Sequence, residues 1–387
     1  MTDLNPLLRA TSAPPIPLAK GWQHDYEGTH GPLIDMSQAA PSYPPPPALV
    51  DKLSREARKP DNARYGHVRG DLPFREVFTA HTAAIYGGSI DVNELVITGG
   101  CNQAFVATAL TIAQAGDAIL LPTPAYFNHK MTLDMLGIEA RSVPCTAQQG
   151  FLPTVDQVRK RLDRRVRAIA LVTPNNPTGA IYPPQRIREL YEMCVEYDIW
   201  LILDETYRDF LPAGIDRPHE LFTQKDWQSH LIHLYSFSKA YALPGYRLGA
   251  LIADAGLVTE LIKVIDCMQI CAPRLAQSVL TWAVDETTEW RGAQRQRINR
   301  KAAAFKAAIE ATGEWQVSSI GGFFAYVRHT TSSQPALEMA QSLAQTFGIL
   351  TLPSEFFGDH LEPHLRMAFA NLEDAEIASL PKRMPNL

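Results

Sequence analysis

A lysine, Lys239, follows closely on the apolar run Leu231–Tyr235, which we predict to be a buried strand. An amine at the end of such a strand is partly desolvated, which lowers its pKa and frees it to form an imine with a carbonyl group. Ser236, Ser238 and Arg247 lie near it along the chain and are hydroxyl and guanidinium donors suited to a phosphate. Alone, the segment is weak evidence, because a surface turn with an incidental lysine has the same composition.

An acidic residue, Asp204, ends a second apolar run, Trp200–Leu203. A buried carboxylate is unfavourable unless it meets a cation. A protonated pyridine nitrogen is such a cation, and the carboxylate would keep that ring an electron sink. Tyr207, in the same segment, is placed to donate a hydrogen bond to an oxygen of the ring. The alternative is a structural aspartate that caps the next helix.

Two turns follow two further apolar runs, Leu95–Thr98 and Ala168–Val172. In the first turn, Gly100 lets backbone amides at a helix N-terminus approach a phosphate. Its neighbour Cys101 is a weak candidate nucleophile, because the sequence ties no base to it. In the second turn, Asn176 offers an amide donor to a ring hydroxyl. Both turns are common in proteins without such a site, so neither is specific alone.

One arginine, Arg366, lies in the mostly apolar run 363–369 near the end of the chain. A buried guanidinium needs an anionic partner. A substrate carboxylate would serve, and so would an internal aspartate or glutamate, so the residue type leaves both open.

Most of these candidates stand just after a predicted strand. Short apolar runs alternate with amphipathic segments in the middle of the chain, which predicts a mainly parallel sheet covered by helices. Ligands bind at the carboxyl ends of strands in such sheets, so we expect the candidates to meet there. The predicted strands are Leu95–Thr98, Ala118–Leu121, Ala168–Val172, Trp200–Leu203, Leu231–Tyr235 and Leu248–Ala253, and the predicted helices are Phe74–Tyr86, Asn102–Gln114, Tyr126–Leu136, Val155–Leu162 and Pro184–Tyr197.

The two ends of the chain differ from this middle part. The N-terminal segment is rich in proline, including Pro15, Pro17 and the run Pro44–Pro47, so we predict that it runs extended over a surface instead of forming helix. Towards the C-terminus, Arg291–Glu310 predicts a solvated amphipathic helix, and Trp315–Met384 an α+β segment.

Composition narrows the class of protein. The chain has 387 residues, of which 46% are hydrophobic and 20% charged, which is typical of a globular protein with one or two domains. A net charge of -5 offers no electrostatic case for nucleic acid or a membrane surface. Five cysteines without a CxxC pair argue against a disulfide framework or a zinc ribbon. With no recognisable signal peptide, a cytoplasmic location is the expectation.

In their order and spacing these motifs resemble the fold-type I enzymes that use pyridoxal 5'-phosphate (PLP), specifically the class I/II aminotransferases. The resemblance extends from about Ile34 to Asn371. It implies an α/β fold with a large, mainly parallel seven-stranded sheet sandwiched by helices over residues 49–285. A smaller α+β domain would combine residues 1–48 with residues 286–387. It also implies a homodimer in which each subunit completes the partner's active site.

The resemblance also implies roles for single residues. Lys239 would carry PLP as an aldimine and then move the proton between the substrate and the cofactor, while Asp204 pairs with the pyridine nitrogen. Tyr207 and Asn176 would bond the ring oxygen, and Tyr126 would stack on the ring. The phosphate would be held by Gly100, Cys101, Asn102, Ser236, Ser238 and Arg247, and Tyr65 would reach the phosphate of the neighbouring subunit. Arg366 would bind the substrate α-carboxylate, and Asn176 and Ala39 would lie beside the substrate.

Three features depart from the common pattern. Ala39 stands in the N-terminal substrate loop where many members carry glycine. The phosphate turn Gly100–Asn102 lacks the hydroxyl side chains often found there, so main-chain amides would carry more of the contact. No second arginine can be located for the side chain of a dicarboxylic substrate, so specificity for aspartate does not follow.

The function implied is transfer of an amino group between an L-amino acid and a 2-oxo acid in two half-reactions, EC 2.6.1.-. A PLP-dependent lyase, decarboxylase or oxygen-using enzyme would keep Lys239, Asp204 and Arg247, so the sequence separates these reactions poorly. A non-catalytic PLP-binding regulator would need a DNA-binding module, for which there is no room before Ile34.

Overall fold

A seven-stranded sheet organises the middle of the chain in the computed structural model, which describes residues 3–385. Its strand order is β2-β8-β7-β6-β5-β3-β4, and every neighbouring pair is parallel except those that involve β8. The strands are β1 Ile34–Asp35, β2 Leu95–Thr98, β3 Ala118–Thr123, β4 Glu139–Pro144, β5 Val166–Val172, β6 Trp200–Asp204, β7 Leu231–Ser236, β8 Gly249–Ile252, β9 Trp315–Gly321, β10 Phe324–His329, β11 Ile349–Leu350, β12 Leu352–Pro353 and β13 Leu365–Met367.

Helices cover both faces of this sheet, as the alternating pattern predicts. Ile169 and Leu171 of β5 belong to one buried core, whereas Ala168 and Ala170 belong to the core on the opposite face. Burial on both faces explains why these strands are continuous apolar runs. The helices are α1 Pro6–Ala10, α2 Pro15–Gly21, α3 Pro47–Ala57, α4 Leu72–Tyr86, α5 Cys101–Ile112, α6 Phe127–Leu136, α7 Val155–Arg159, α8 Pro184–Glu196, α9 Phe237–Ala240, α10 Ala255–Gln269, α11 Arg274–Glu286, α12 Thr288–Glu310, α13 Ala336–Phe347 and α14 Asp374–Arg383.

The strand β4 is absent from the strands predicted by sequence. It is an edge strand, paired only with β3 among the described residues, and most of its side chains are exposed or half-buried. Such a strand needs no apolar run, so the pattern used to find the other six does not detect it.

A smaller antiparallel sheet of order β12-β13-β10-β9 lies in the C-terminal part of the chain. Strand β1 pairs in parallel with β11, so the N-terminal segment joins this part of the fold. The core around the small sheet combines Ala19 and Trp22 with residues of α12, α13 and α14. The exact domain limits at residues 48 and 285 stay a prediction.

Two predictions for the chain ends are wrong in part. Pro15 begins α2 and Pro47 begins α3, although the segment was expected to be extended. The first turn of a helix tolerates proline because its N–H groups have no partner within the helix. Helix α12 confirms the helix at Arg291–Glu310, but its Arg291 and Lys301 are buried, since both donate hydrogen bonds to backbone carbonyls.

Within residues 3–385, none of the helices combines the length and the apolar character that crossing a lipid bilayer requires.

Candidate active site

A cavity of about 360 Å³ lies where β5, β6 and β7 end, between the large sheet and the core of the small one. The sheet topology brings together residues that are far apart in sequence, as the sequence predicts for the carboxyl ends of parallel strands. Every predicted site residue except Gly100 and Tyr65 lines this cavity, namely Ala39, Cys101, Asn102, Tyr126, Asn176, Asp204, Tyr207, Ser236, Ser238, Lys239, Arg247 and Arg366.

Lys239 lies in the short helix α9, directly after β7. The hydroxyl of Ser236 caps this helix and accepts a hydrogen bond from the backbone N–H of Ser238 at 3.3 Å. The Lys239 Nζ donates to the Ala39 carbonyl at 2.7 Å. Burial, with the nearby charges of Arg247 and Arg366, lowers the pKa of Lys239 to about 8. About a tenth of this amine is therefore neutral and nucleophilic at pH 7, far more than for an ordinary lysine.

Asp204, at the end of β6, receives hydrogen bonds on both carboxylate oxygens. Its Oδ1 accepts from the Thr206 hydroxyl at 2.7 Å and from the Thr206 N–H at 3.0 Å. Its Oδ2 lies 3.5 Å from both His129 Nε2 and Cys101 Sγ. Burial disfavours the charge on Asp204, but His129 and Thr206 outweigh it and hold the pKa below its usual range. The side chain is therefore a fixed anion in the cavity wall.

The histidine that supports Asp204 was not identified from the sequence. His129 stacks on the ring of Phe105 at 3.8 Å between centroids, and the edge of Tyr126 contacts it at 5.3 Å. Tyr126 is the N-cap residue of α6, and His129 lies three positions further on, in the first turn of that helix. That spacing is the only sequence signal, and it does not single out one histidine among the 11 in the chain.

Two glycines next to the start of α5 disfavour a side chain, Gly100 because of its positive φ and Gly249 because backbone atoms lie against it. A Cβ on Gly100, whose φ is +98°, would lie 2.3 Å from Arg247 Nη2, and one on Gly249 would lie 2.7 Å from the Cys101 nitrogen. The Arg247 Nη1 also donates to the Pro244 carbonyl at 3.0 Å. The helix N-terminus and the guanidinium therefore meet at one end of the cavity, which suits a phosphate.

Arg366, on β13, is almost fully buried and has no carboxylate partner within residues 3–385. Its Nη1 donates to Asn176 Oδ1 at 3.2 Å, its Nη2 donates to the Ser37 carbonyl, and its guanidinium lies over the rings of Phe324 and Phe357. Burial lowers its pKa to about 10. The internal ion pair considered from the sequence is not found in the part of the chain that the structure describes, so the guanidinium keeps its capacity to bind an anion.

Tyr65 lies outside the cavity, with 78% of its surface exposed. Its predicted contact with the phosphate of a neighbouring subunit stays a prediction, because it would require a second chain.

The groups present fit PLP. An amine of lowered pKa matches an aldehyde, the buried Asp204 carboxylate matches a ring nitrogen, and the Gly100 turn with Arg247 matches a phosphate. Because Asn176 Oδ1 accepts a hydrogen bond from Arg366, the amide N–H groups of Asn176 point away from Arg366. They can therefore donate to a ring oxygen.

Comparisons with known proteins agree with this reading. The sequence model of the family "Aminotransferase class I and II" matches residues 31–384. A valine–pyruvate aminotransferase from Mycobacterium tuberculosis is 30% identical over 285 residues, which cover 72% of this chain and 70% of the relative. An aromatic aminotransferase from Arabidopsis thaliana is 24% identical over 358 residues, covering 91% of this chain and 88% of the relative.

Solved structures show the same fold. An aspartate aminotransferase from Rhizobium meliloti superimposes with a TM-score of 0.92 at 17% identity, covering 99% of this chain and 98% of the other. Because the family match spans nearly the whole chain, the chain belongs to the class I and II aminotransferases, which are PLP-dependent enzymes that transfer an amino group from an amino acid to a 2-oxo acid.

Proposed function

We propose that this aminotransferase holds its cofactor covalently on Lys239 and uses the same amine to move the proton during the reaction. The observation that carries the proposal is the position of the Lys239 Nζ, buried in the cavity with a lowered pKa and bonded to the Ala39 carbonyl. Borohydride reduction of the holoenzyme followed by peptide mapping tests it. We expect the label on Lys239, and a label on another lysine would contradict the assignment.

The other residues of the cavity hold and tune the cofactor in this proposal. When bound, PLP supplies a ring that takes up electrons from the substrate α-carbon. Asp204 would keep the ring nitrogen protonated, and Tyr207 and Asn176 would donate hydrogen bonds to the ring oxygen. Tyr126 would pack on the ring, and the phosphate would be held by Gly100, Cys101, Asn102, Ser236, Ser238 and Arg247.

The substrate is positioned by Arg366, whose guanidinium would bind the α-carboxylate through two hydrogen bonds. Its packing on Phe324 and Phe357 fixes the guanidinium, so that the carboxylate has one orientation. The Lys239 amine would take up the proton from the substrate α-carbon and later return it at a neighbouring atom. Ala39 supplies the carbonyl that holds the Lys239 amine ready.

A homodimer with shared active sites is part of the proposal, and the exposed Tyr65 supports it because a tyrosine in this position has no role within its own cavity. A mixing experiment tests it directly. Lys239→Ala and Tyr65→Ala homodimers should each be impaired. A mixed dimer has one active site with both native residues, because its Lys239 comes from one subunit and its Tyr65 from the other. We expect mixing to restore activity, and no recovery would show that Tyr65 does not act across subunits.

We also propose a cytoplasmic location. All five cysteines are free, which fits a reducing compartment. Fractionation of cells that produce the protein tests this, and recovery from an oxidising compartment would contradict it.

A further inference from the structure

The N-terminal substrate loop, residues 36–40, follows β1 and contacts two cations of the site through its backbone. The Ala39 carbonyl accepts a hydrogen bond from Lys239 Nζ at 2.7 Å, and the Ser37 carbonyl accepts one from Arg366 Nη2. The position of this loop therefore affects the reactive amine and the carboxylate-binding guanidinium together.

The start of the loop is fixed by backbone hydrogen bonds and a local turn. The Met36 N–H donates to the Leu350 carbonyl at 2.8 Å, and the Met36 carbonyl accepts from the Ala368 N–H at 3.0 Å. Asp35 Oδ1 accepts from the backbone N–H of Ser37 at 2.8 Å and from its hydroxyl at 2.6 Å. The loop thus enters the cavity from a position set by the strands β11 and β13.

The rest of the loop is held by the side chain of Asn371. Asn371 Nδ2 donates to the Asp35 carbonyl at 3.2 Å and to the Gln38 carbonyl, and Asn371 Oδ1 accepts from the Ala40 N–H at 2.8 Å. These bonds use both N–H groups and the oxygen of the amide. The contacts with Gln38 and Ala40 lie on either side of Ala39 in the chain.

One peptide group, between Ala39 and Ala40, joins Asn371 to Lys239. Its N–H donates to Asn371 Oδ1, while its carbonyl accepts from Lys239 Nζ. Because this peptide group is planar and trans, its N–H and carbonyl point in opposite directions. The hydrogen bond to Asn371 therefore also fixes the direction in which the carbonyl meets the amine.

We propose that Asn371 is a positioning residue for the reaction, which holds the Lys239 amine in reach of the substrate α-carbon through the Ala39 carbonyl. Asn371 is not among the residues that line the cavity, so it acts through the loop. The proposal rests on the function stated above and adds a residue to it. A displacement of a reacting group by about 1 Å slows a reaction by up to about a hundredfold, so the effect is measurable.

Two variants separate this role from packing. Asn371→Asp keeps the shape of the side chain but cannot donate to the Asp35 and Gln38 carbonyls, and Asn371→Ala removes all three bonds without adding a charge. Asn299→Asp is the matched control, because Asn299 Nδ2 also donates to a backbone carbonyl, that of Leu211 at 3.1 Å, and Asn299 does not line the cavity.

Rapid mixing of each holoenzyme with the fastest-reacting of the twenty common amino acids measures the effect. We expect both Asn371 variants to lower the maximal rate by about tenfold or more, with the apparent affinity for the amino acid within about threefold, and the control to match wild type. The isotope effect with the same amino acid deuterated at its α-carbon should rise, because proton transfer becomes the slowest step. A general loss of structure would not produce this combination.

Hydrogen exchange of the apoproteins, followed by mass spectrometry, is a readout that needs no cofactor. Exchange in residues 36–40 should become at least about tenfold faster in Asn371→Ala, because the Ala40 N–H loses its acceptor, while β5 and β6 stay protected. Wild-type rates in both Asn371 variants, unchanged exchange in the loop, or an equal loss of rate in Asn299→Asp would overturn the proposal. If borohydride labels a lysine other than Lys239, the proposed function fails and the positioning role falls with it.

Discussion

Two adjacent carboxylates at the end of β6 have opposite surroundings. Asp204 lines the active-site cavity, whereas Glu205 turns away into a buried polar cluster. The Glu205 Oε2 accepts a hydrogen bond from the Tyr86 hydroxyl and lies 2.9 Å from His233 Nε2 and 3.4 Å from His219 Nε2. Both acids are buried and both have histidine partners, so neither burial nor partner type distinguishes a site residue from a structural one.

Asp204 faces the cavity, where a ligand can reach it, whereas Glu205 is fully enclosed by its partners. Burial disfavours the charge on Glu205, but His219 and His233 outweigh it and hold its pKa well below the usual range. Nearby, the Arg208 guanidinium lies 4.1 Å from the centre of the Tyr235 ring. We therefore expect substitutions beside the cavity to impair chemistry and substitutions in the Glu205 cluster to impair stability.

The largest effect is expected on the cavity side, for Lys239→Ala. Activity should fall by at least about a thousandfold, because both the cofactor attachment and the proton transfer are lost. The visible absorbance of bound cofactor should disappear while the melting temperature of the apoprotein hardly changes. Lys263→Ala, at an exposed lysine, is the control and should behave as wild type. Retained turnover in the Lys239 variant would remove the site assignment.

Asp204→Asn should follow, with a loss of about a hundredfold in turnover and weaker PLP binding, because the amide cannot hold a proton on the ring nitrogen. The asparagine is of the same size, so folding should be retained. Steady-state kinetics and titration of the apoprotein with PLP measure the two effects. Near-normal rates would mean that the carboxylate is structural, like its neighbour.

Glu205→Gln is the matched change in the buried cluster. We expect unfolding to become easier by about 3 kcal/mol, because Tyr86 and His233 lose their charged hydrogen-bond acceptor and the buried Arg208 loses a nearby negative charge. Urea unfolding of the two apoproteins measures this, and turnover per folded molecule should stay close to wild type. A variant of normal stability but low activity would reverse the distinction between the two acids.

On the cavity side, we also expect a response to pH through the amine of Lys239. The pKa of Lys239 is lowered to about 8, so its amine is mainly protonated below that pH and neutral above it. The rate at which the apoenzyme captures PLP should therefore rise about tenfold per pH unit and level off above the pKa. Stopped-flow absorbance checks this. A rise that continued to about pH 10, as for an ordinary lysine, would contradict the effect of burial.

The smallest effect is expected for Cys101. Burial raises the pKa of its thiol well above the usual value, so the neutral group can donate to Asp204 Oδ2. Cys101→Ala should weaken PLP binding by about two- to tenfold, the contribution of one hydrogen bond, and Cys101→Ser should recover most of it. Equal loss in both variants would show that volume, not the hydrogen bond, matters there.

Much of the site is predictable because its motifs are local. Lys239, Asp204 and Asn176 each follow a strand whose apolar run is visible in the sequence, and parallel strands bring such positions to one edge. His129 and Ile16 were missed for the opposite reason. A histidine in an amphipathic helix and an isoleucine beside prolines have ordinary surroundings in sequence, and only the packing of α6 and α2 against the cavity gives them a place in it.

The sequence alone thus determined the class of protein, six of the seven strands of the central sheet and the residues that could do chemistry, because strand patterns and turn motifs depend on near neighbours. Tertiary structure decided which of two adjacent acids lines the cavity and whether Arg366 has an internal carboxylate partner. Those properties depend on contacts between residues such as Ser37 and Arg366, which are 329 positions apart. No local pattern encodes such contacts, because they arise only when the whole chain has folded.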